Sequence, residues 1–187
     1  MWLLMHRLRM GGMRVFGVVA ISAIGLLHAS RAGADCWDVA AERYQLDPLL
    51  LYAIAQVESN LDMNARNTNR NGTYDIGLMQ INSIHLPKLA QYGVTERHLR
   101  EDACASILTG AWILAGFVRQ YGYGWEAVGA YNAGTGEARA PLRKRYADKV
   151  RKRYARLVAE RTRRMALSAC DAPDEFGACQ NATASQP

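Results

Sequence analysis

Glu58 is the residue of this sequence whose type and setting first suggest chemistry. It closes the run Leu49-Leu50-Leu51-Tyr52-Ala53-Ile54-Ala55-Gln56-Val57. At helical spacing it shares a face with Leu51, Ile54 and Ala55. Burial against apolar neighbours disfavours the charged form of a carboxyl group and raises its pKa. A carboxylic acid that keeps its proton near neutral pH can protonate a bridging oxygen, the step that glycosidic bond cleavage needs. Taken from this helix alone, an exposed acid at a helix end is an equally good reading.

The elements that must carry Glu58 are legible around it. Asp47-Pro48 is a helix start, an N-cap acid followed by proline at the first helical position. Asn60 to Gly72 is polar and turn-rich. Asn71-Gly72 is a hairpin-turn signal, and Thr73-Tyr74-Asp75-Ile76 after it suits a short strand. Cys104 to Gln120 is apolar nearly all round and reads as the central buried helix. Its Trp112, like Trp125 further on, is expected in the core rather than as a sugar platform. Trp125 to Tyr131 forms another short helix, ending at Asn132-Ala133-Gly134. Pro141 opens a last long helix whose inward stripe is Leu142, Tyr146, Val150, Tyr154 and Leu157. From about Ala166 the residues turn small and polar, and a loose tail is expected over 166–187. The pattern is mainly α with a small β-hairpin.

Three segments together carry a resemblance to a known family. Glu58-Ser59-Asn60, then Gly77-Leu78-Met79-Gln80-Ile81-Asn82, then Ala130-Tyr131-Asn132-Ala133-Gly134 resemble the catalytic domain of soluble lytic transglycosylases. The likeness is to the small specialised enzymes, invasion proteins among them, that accompany type III secretion, conjugation and pilus systems. It covers roughly residues 36–158 and implies a single lysozyme-like α+β domain, 35–165, with a small β-hairpin beside the catalytic cleft. It also implies cleavage of peptidoglycan glycan strands with formation of 1,6-anhydromuramic ends, a hydrolytic lysozyme-type muramidase or a non-catalytic glycan-binding assembly factor being the alternatives, and Glu58 as the single acid/base, oriented by a hydrogen bond from Ser59. Gly77, Met79 and Gln80 would line the saccharide groove, the glycine allowing close approach of the sugar. Tyr131 and Asn132 would hold the substrate or the carboxyl from the opposite side. Asn67 departs from the family, which often has serine there. A second likeness lies inside the first: Glu58-Ser59-Asn60, Asn69-Arg70-Asn71 and Asp75-Ile76-Gly77 also resemble animal-type lysozyme, whose second catalytic carboxylate falls at the position of Asp75. Asp75 would then either stabilise a cationic transition state or simply bond the hairpin turn.

The rest of the chain bounds where such an enzyme works. Arg7, Arg9 and Arg14 precede the apolar run Val15 to Leu27 and the small-residue site Ala32-Gly33-Ala34, the layout of an export signal over residues 1–34 cleaved before Asp35. The apolar run is shorter than the roughly 18 to 20 residues that span a bilayer, so no lasting membrane anchor is expected. The formal charge of +6 falls to +2 without that segment, since it holds four arginines and no acid. Residues 139–164 hold twelve Lys/Arg against two acids, whereas 35–138 hold seven against twelve. The basic segment reads first as a solvated helix face, with attraction to anionic wall polymer or a secretion-apparatus protein as the alternative; no nucleic-acid role is expected. All four cysteines follow the cleavage site, which favours disulfides over metal ligation. The pairs expected are Cys36–Cys104 and, within the tail, Cys170–Cys179. No metal and no cofactor are expected, and a periplasmic or secreted monomer is the simplest form.

Overall fold

The computed structural model describes residues 32–170, with side chains from 36 to 168. Helix α1 spans Ala32–Tyr44, so the expected cleavage site falls in its first turn. The rest of the expected export signal, Cys179 and the side chain of Cys170 lie outside the described residues, and with them the expected Cys170–Cys179 pair. Helix α2, Pro48–Glu58, begins as its sequence dictates. Asp47 is extended, with φ −79° and ψ 125°, and its carboxylate accepts the Leu49 amide at 2.8 Å. After α2 the chain makes a three-stranded antiparallel sheet of β1, Arg66–Thr68, β2, Tyr74–Ile76, and β3, Ile81–Asn82, in that order. The register sets Asn67 opposite Asp75 and Asp75 opposite Asn82. The expected hairpin is therefore present and is extended by one further strand.

Two short helices follow, α3 over Leu86–Ala90 and α4 over Glu96–Glu101, the second opened by a capping box between Thr95 and His98. Helix α5, Ala103–Tyr121, is the central element, starting from the Asp102 cap. Its Ile107, Ala111 and Leu114 are buried together with Leu51, Ile54 and Ala55 of α2 in one core. Helix α6, Trp125–Ala133, and helix α7, Ala140–Cys170, complete the described chain. α6 and α7 meet backbone to backbone at Gly129, where a Cβ would stand 2.5 Å from the Arg143 carbonyl oxygen. Arg143 is itself buried. It donates to Glu126 at 2.5 Å and to the carbonyls of Gly134 and Gly136 at 3.2 and 2.8 Å, fixing the loop between the two helices. A disulfide between Cys36 and Cys104 ties α1 to the start of α5, with Cα atoms 5.3 Å apart.

One expectation needs adjustment. The helix α7 continues to Cys170, past the tail start expected at Ala166. The stretch has no glycine or proline before Pro173, and alanine, leucine, methionine and arginine are strong helix formers, so small residues there extend a helix rather than ending it. Helices α1, α3 and α4 were not foreseen, being short or set beside a signal-like segment. Trp112 and Trp125 pack against the core, as read from sequence; Trp125 meets the Tyr154 ring edge-on at 6.1 Å.

Candidate active site

Glu58 ends α2, so the apolar face that holds the helix in the core also carries its carboxyl to the wall of a cleft of about 720 Å³. The sheet supplies the facing wall through Asn67, Asn69, Asp75 and Asn82, and α6 supplies Tyr131 and Asn132. Burial raises the Glu58 pKa to about 7. A hydrogen bond from Tyr146 pulls it down, the charge on Asp75 pushes it up, and Asn132 and the Lys149 charge pull down more weakly. The group therefore carries its proton about half the time near neutrality. The Tyr146 hydroxyl donates to Glu58 Oε1 at 2.5 Å, and its own pKa is driven well above the usual value by burial and by that carboxyl.

Asp75 owes its place to strand geometry. Residues opposite one another in a sheet share a face, so Asn67, Asp75 and Asn82 stand side by side. Asp75 Oδ1 accepts from Asn82 Nδ2 at 2.7 Å, and Oδ2 accepts from Asn67 and Asn69 amides at 3.2 and 3.1 Å. Three neutral donors thus fix a carboxylate at the cleft wall, with no cation paired to it among the described residues. Asn67, the departure from the family pattern, is one of these donors.

The remaining sequence-predicted residues divide into cleft wall and support. Gln80, Tyr131 and Asn132 line the cleft. The Gln80 side-chain amide donates to the Ala65 and Gly77 carbonyls at 3.0 and 2.9 Å, and its backbone is left-handed at φ 47°. Ser59 is not on the Glu58 carboxyl. Its hydroxyl lies 2.7 Å from the Leu78 carbonyl and 3.3 Å from that of Ala55, so it pins the end of α2 to the 77–80 turn. Gly77 is not among the residues lining this cleft, and its missing side chain serves the fold: at φ +67°, a Cβ would collide with the Leu99 carbonyl oxygen of α4. The glycine is needed by the chain itself. Met79 is wholly buried against Gly110 of α5, and its carbonyl accepts the Tyr131 hydroxyl at 2.8 Å. The motif around Gly77 to Gln80 thus builds the cleft largely from behind.

Sequence reasoning missed Tyr146 as a site residue, although it stood in the inward stripe of α7. The available signal was its hydroxyl, since a tyrosine buried among apolar residues usually finds a hydrogen-bond partner. It also missed the asparagine cage, whose signal was the alternation of Asn67 and Asn69 in the polar stretch just before the Asn71-Gly72 turn, Asn67 on β1 and Asn69 immediately after it.

The sequence that builds this site matches a known family. The family model described as the transglycosylase SLT domain matches residues 35–154. The chain belongs to the transglycosylase SLT-domain family. By class it is a peptidoglycan lytic transglycosylase. Among relatives of this SLT protein, the invasion protein IagB of Salmonella typhimurium is 45% identical over 153 residues, 80% of this chain and 96% of the relative. Protein IpgF of Shigella flexneri is 46% identical over 117 residues, 63% of this chain and 77% of that one. The X polypeptide of Escherichia coli is 44% identical over 119 residues, 63% of this chain and 70% of that one. The X-ray structure of an inactive mutant of the lytic transglycosylase Slt from Pseudomonas aeruginosa superposes with a TM-score of 0.55 at 21% identity, covering 72% of this chain and 25% of that one. That likeness carries the lysozyme-like fold.

Proposed function

We propose that this transglycosylase cleaves the β-1,4 bond between N-acetylmuramic acid and N-acetylglucosamine and leaves a 1,6-anhydromuramic end. The observation that carries this reading is Glu58 at the cleft wall with its pKa raised to about 7. Protonated, it delivers its proton to the bridging oxygen as the C1–O bond breaks, releasing the N-acetylglucosamine side as an alcohol. Ionised, it takes the proton from the muramic C6 hydroxyl as that oxygen closes onto C1. One proton is given and one regained, and no water is consumed. Tyr146 and Asn132 favour the ionised half of this cycle.

Asp75 supports a second carboxylate role. Held by three amides on the wall facing Glu58, it would stabilise positive charge developing on the ring. The same pair of carboxylates also suits a hydrolytic muramidase, in which water attacks instead. Muropeptide mass spectrometry after digestion of purified sacculi separates the two. Anhydro ends are expected; reducing ends alone, heavier by one water, would establish a hydrolase. The likeness to invasion proteins, together with the export-signal pattern, supports action in the cell envelope, opening a local gap for a secretion or other envelope-spanning apparatus. An envelope fraction free of the protein would overturn that assignment.

A further inference from the structure

Glu58 borders a second space besides the cleft it shares with Asp75. A recess of about 280 Å³ lies on its α7 side, lined among others by Asn132, Arg139, Leu142, Arg145, Tyr146 and Lys149. Leu142, Arg145, Tyr146 and Lys149 follow the i, i+3, i+4, i+7 spacing of one helix face. Tyr146 points into the protein to the Glu58 carboxyl, so Arg145 and Lys149 flank it at the recess. Neither is held in a salt bridge, although the Lys149 charge acts on Glu58. Elsewhere on α7, Lys144 pairs with Asp148 at 2.8 Å, and Arg151 approaches the same carboxylate at 3.9 Å. Arg139 donates to the Ala133 carbonyl at 2.9 Å. Arg145 and Lys149 have no hydrogen-bond or ion-pair partner among the described residues, and both are exposed.

The chemistry gives the recess a direction. If Glu58 protonates the bridging oxygen, the sugar that closes on itself lies on the Asp75 side and the departing saccharide on the other. The departing strand begins with N-acetylglucosamine and continues with a muramic residue, which bears the stem peptide and its carboxylates. We infer that Arg145 and Lys149 bind the stem-peptide carboxylates of the departing strand, making glycan whose stem peptides carry free carboxylates the preferred substrate over glycan whose peptide carboxylates are neutral. This inference rests on the proposed cleavage for its direction. A face of solvated cations would predict no such preference.

The test uses insoluble sacculi, intact or with their free stem-peptide carboxylates converted to neutral amides by carbodiimide coupling to excess methylamine, which leaves the peptide cross-links in place. Co-sedimentation of the Glu58→Gln protein measures binding without turnover. Exposed ion pairs contribute modestly each, so two together are expected to favour intact sacculi by roughly 3- to 10-fold. That ratio should shrink as salt screens the charges. Adding Arg145→Gln and Lys149→Gln should bring it to about one, whereas Lys152→Gln with Arg156→Gln, outside the recess, should preserve it. Equal binding to both sacculi would overturn the inference, as would a preference that survives the Arg145/Lys149 pair or falls equally with the Lys152/Arg156 pair. Turnover is read separately with Glu58 intact, comparing the two sacculi on one enzyme so that any effect of Lys149 on Glu58 cancels in the ratio. No cleavage of either substrate would defeat the proposed function while the binding ratio still decides the inference.

Discussion

Glu58 must be protonated to release the leaving group and ionised to recover a proton, and a pKa of about 7 makes both forms accessible near neutrality. Glu58→Gln keeps the shape and loses the exchange. General acid/base groups contribute typically 10²–10⁴-fold, so the release of soluble muropeptides should fall by at least about 10³-fold. The same substitution has a stability signature whose sign follows from the raised pKa. The native state holds the Glu58 proton more tightly than the unfolded chain does, so between about 4.5 and about 7 the native form binds more protons and stability falls as pH rises. Wild type therefore carries its full burial cost above pH 7 and little below 4.5. Glu58→Gln should melt higher than wild type at pH 8, and the gap should close at pH 4; a gap independent of pH would contradict the raised pKa. Tyr146→Phe probes the same carboxyl from the other side. A hydrogen bond to a charged group contributes about 1.5–3 kcal/mol, so its loss should move the alkaline limb of kcat/KM upward by about 1 to 2 pH units at 1.36 kcal/mol per unit. A merely structural Tyr146 would lower activity at all pH values and leave the limb where it was.

At the scale of elements, the sequence displayed α2, α5, α6 and α7 because their periodicity and caps are local properties. It displayed β2 because Asn71-Gly72 forms a turn without help from elsewhere. What it could not display was pairing. Three asparagines scattered from 67 to 82 become one cage only when β1, β2 and β3 align, and Tyr146 becomes a partner of Glu58 only when α7 lies on α2, 88 residues away in sequence. Gly77 and Met79 were read as groove residues because motifs report which residues matter, not which way they face. Asp75 now has both of the properties that the sequence left as alternatives, cleft exposure and bonds to the sheet. Asp75→Asn should therefore cost some stability, since an amide set against three amides must turn donors toward donors. It should also slow turnover per folded molecule by about 10²-fold, the magnitude of one preorganised electrostatic group. Initial rates normalised to the folded fraction by circular dichroism separate the two effects. An unchanged normalised rate would leave Asp75 as part of the sheet alone.

Across the whole molecule, function and durability are held in different places. The cleft draws on the sheet, the end of α2 and the facing parts of α6 and α7, whereas the Cys36–Cys104 bridge joins α1 to the first turn of α5. The nearest cleft residue on α5 is Ile113, nine residues further along that helix. The bridge closes a loop of 68 residues, including all of α2 and the sheet. On the chain-entropy model such a closure lowers the entropy of the unfolded chain by an amount equivalent to about 4 kcal/mol. An enzyme with a cleft open to solvent cannot gain much further burial there, so a covalent tie outside the cleft stabilises it without narrowing the site. Cys36→Ser with Cys104→Ser should lower the melting temperature by roughly 8–16 °C, at about 2–4 °C per kcal/mol for a chain of this size. At 20 °C, where the double variant remains folded, kcat on sacculi should stay within about twofold of wild type, because no catalytic group moves. A large loss of kcat in the folded variant would mean that α1 and the bridge hold the cleft's geometry as well as its stability, and the separation argued here would fail.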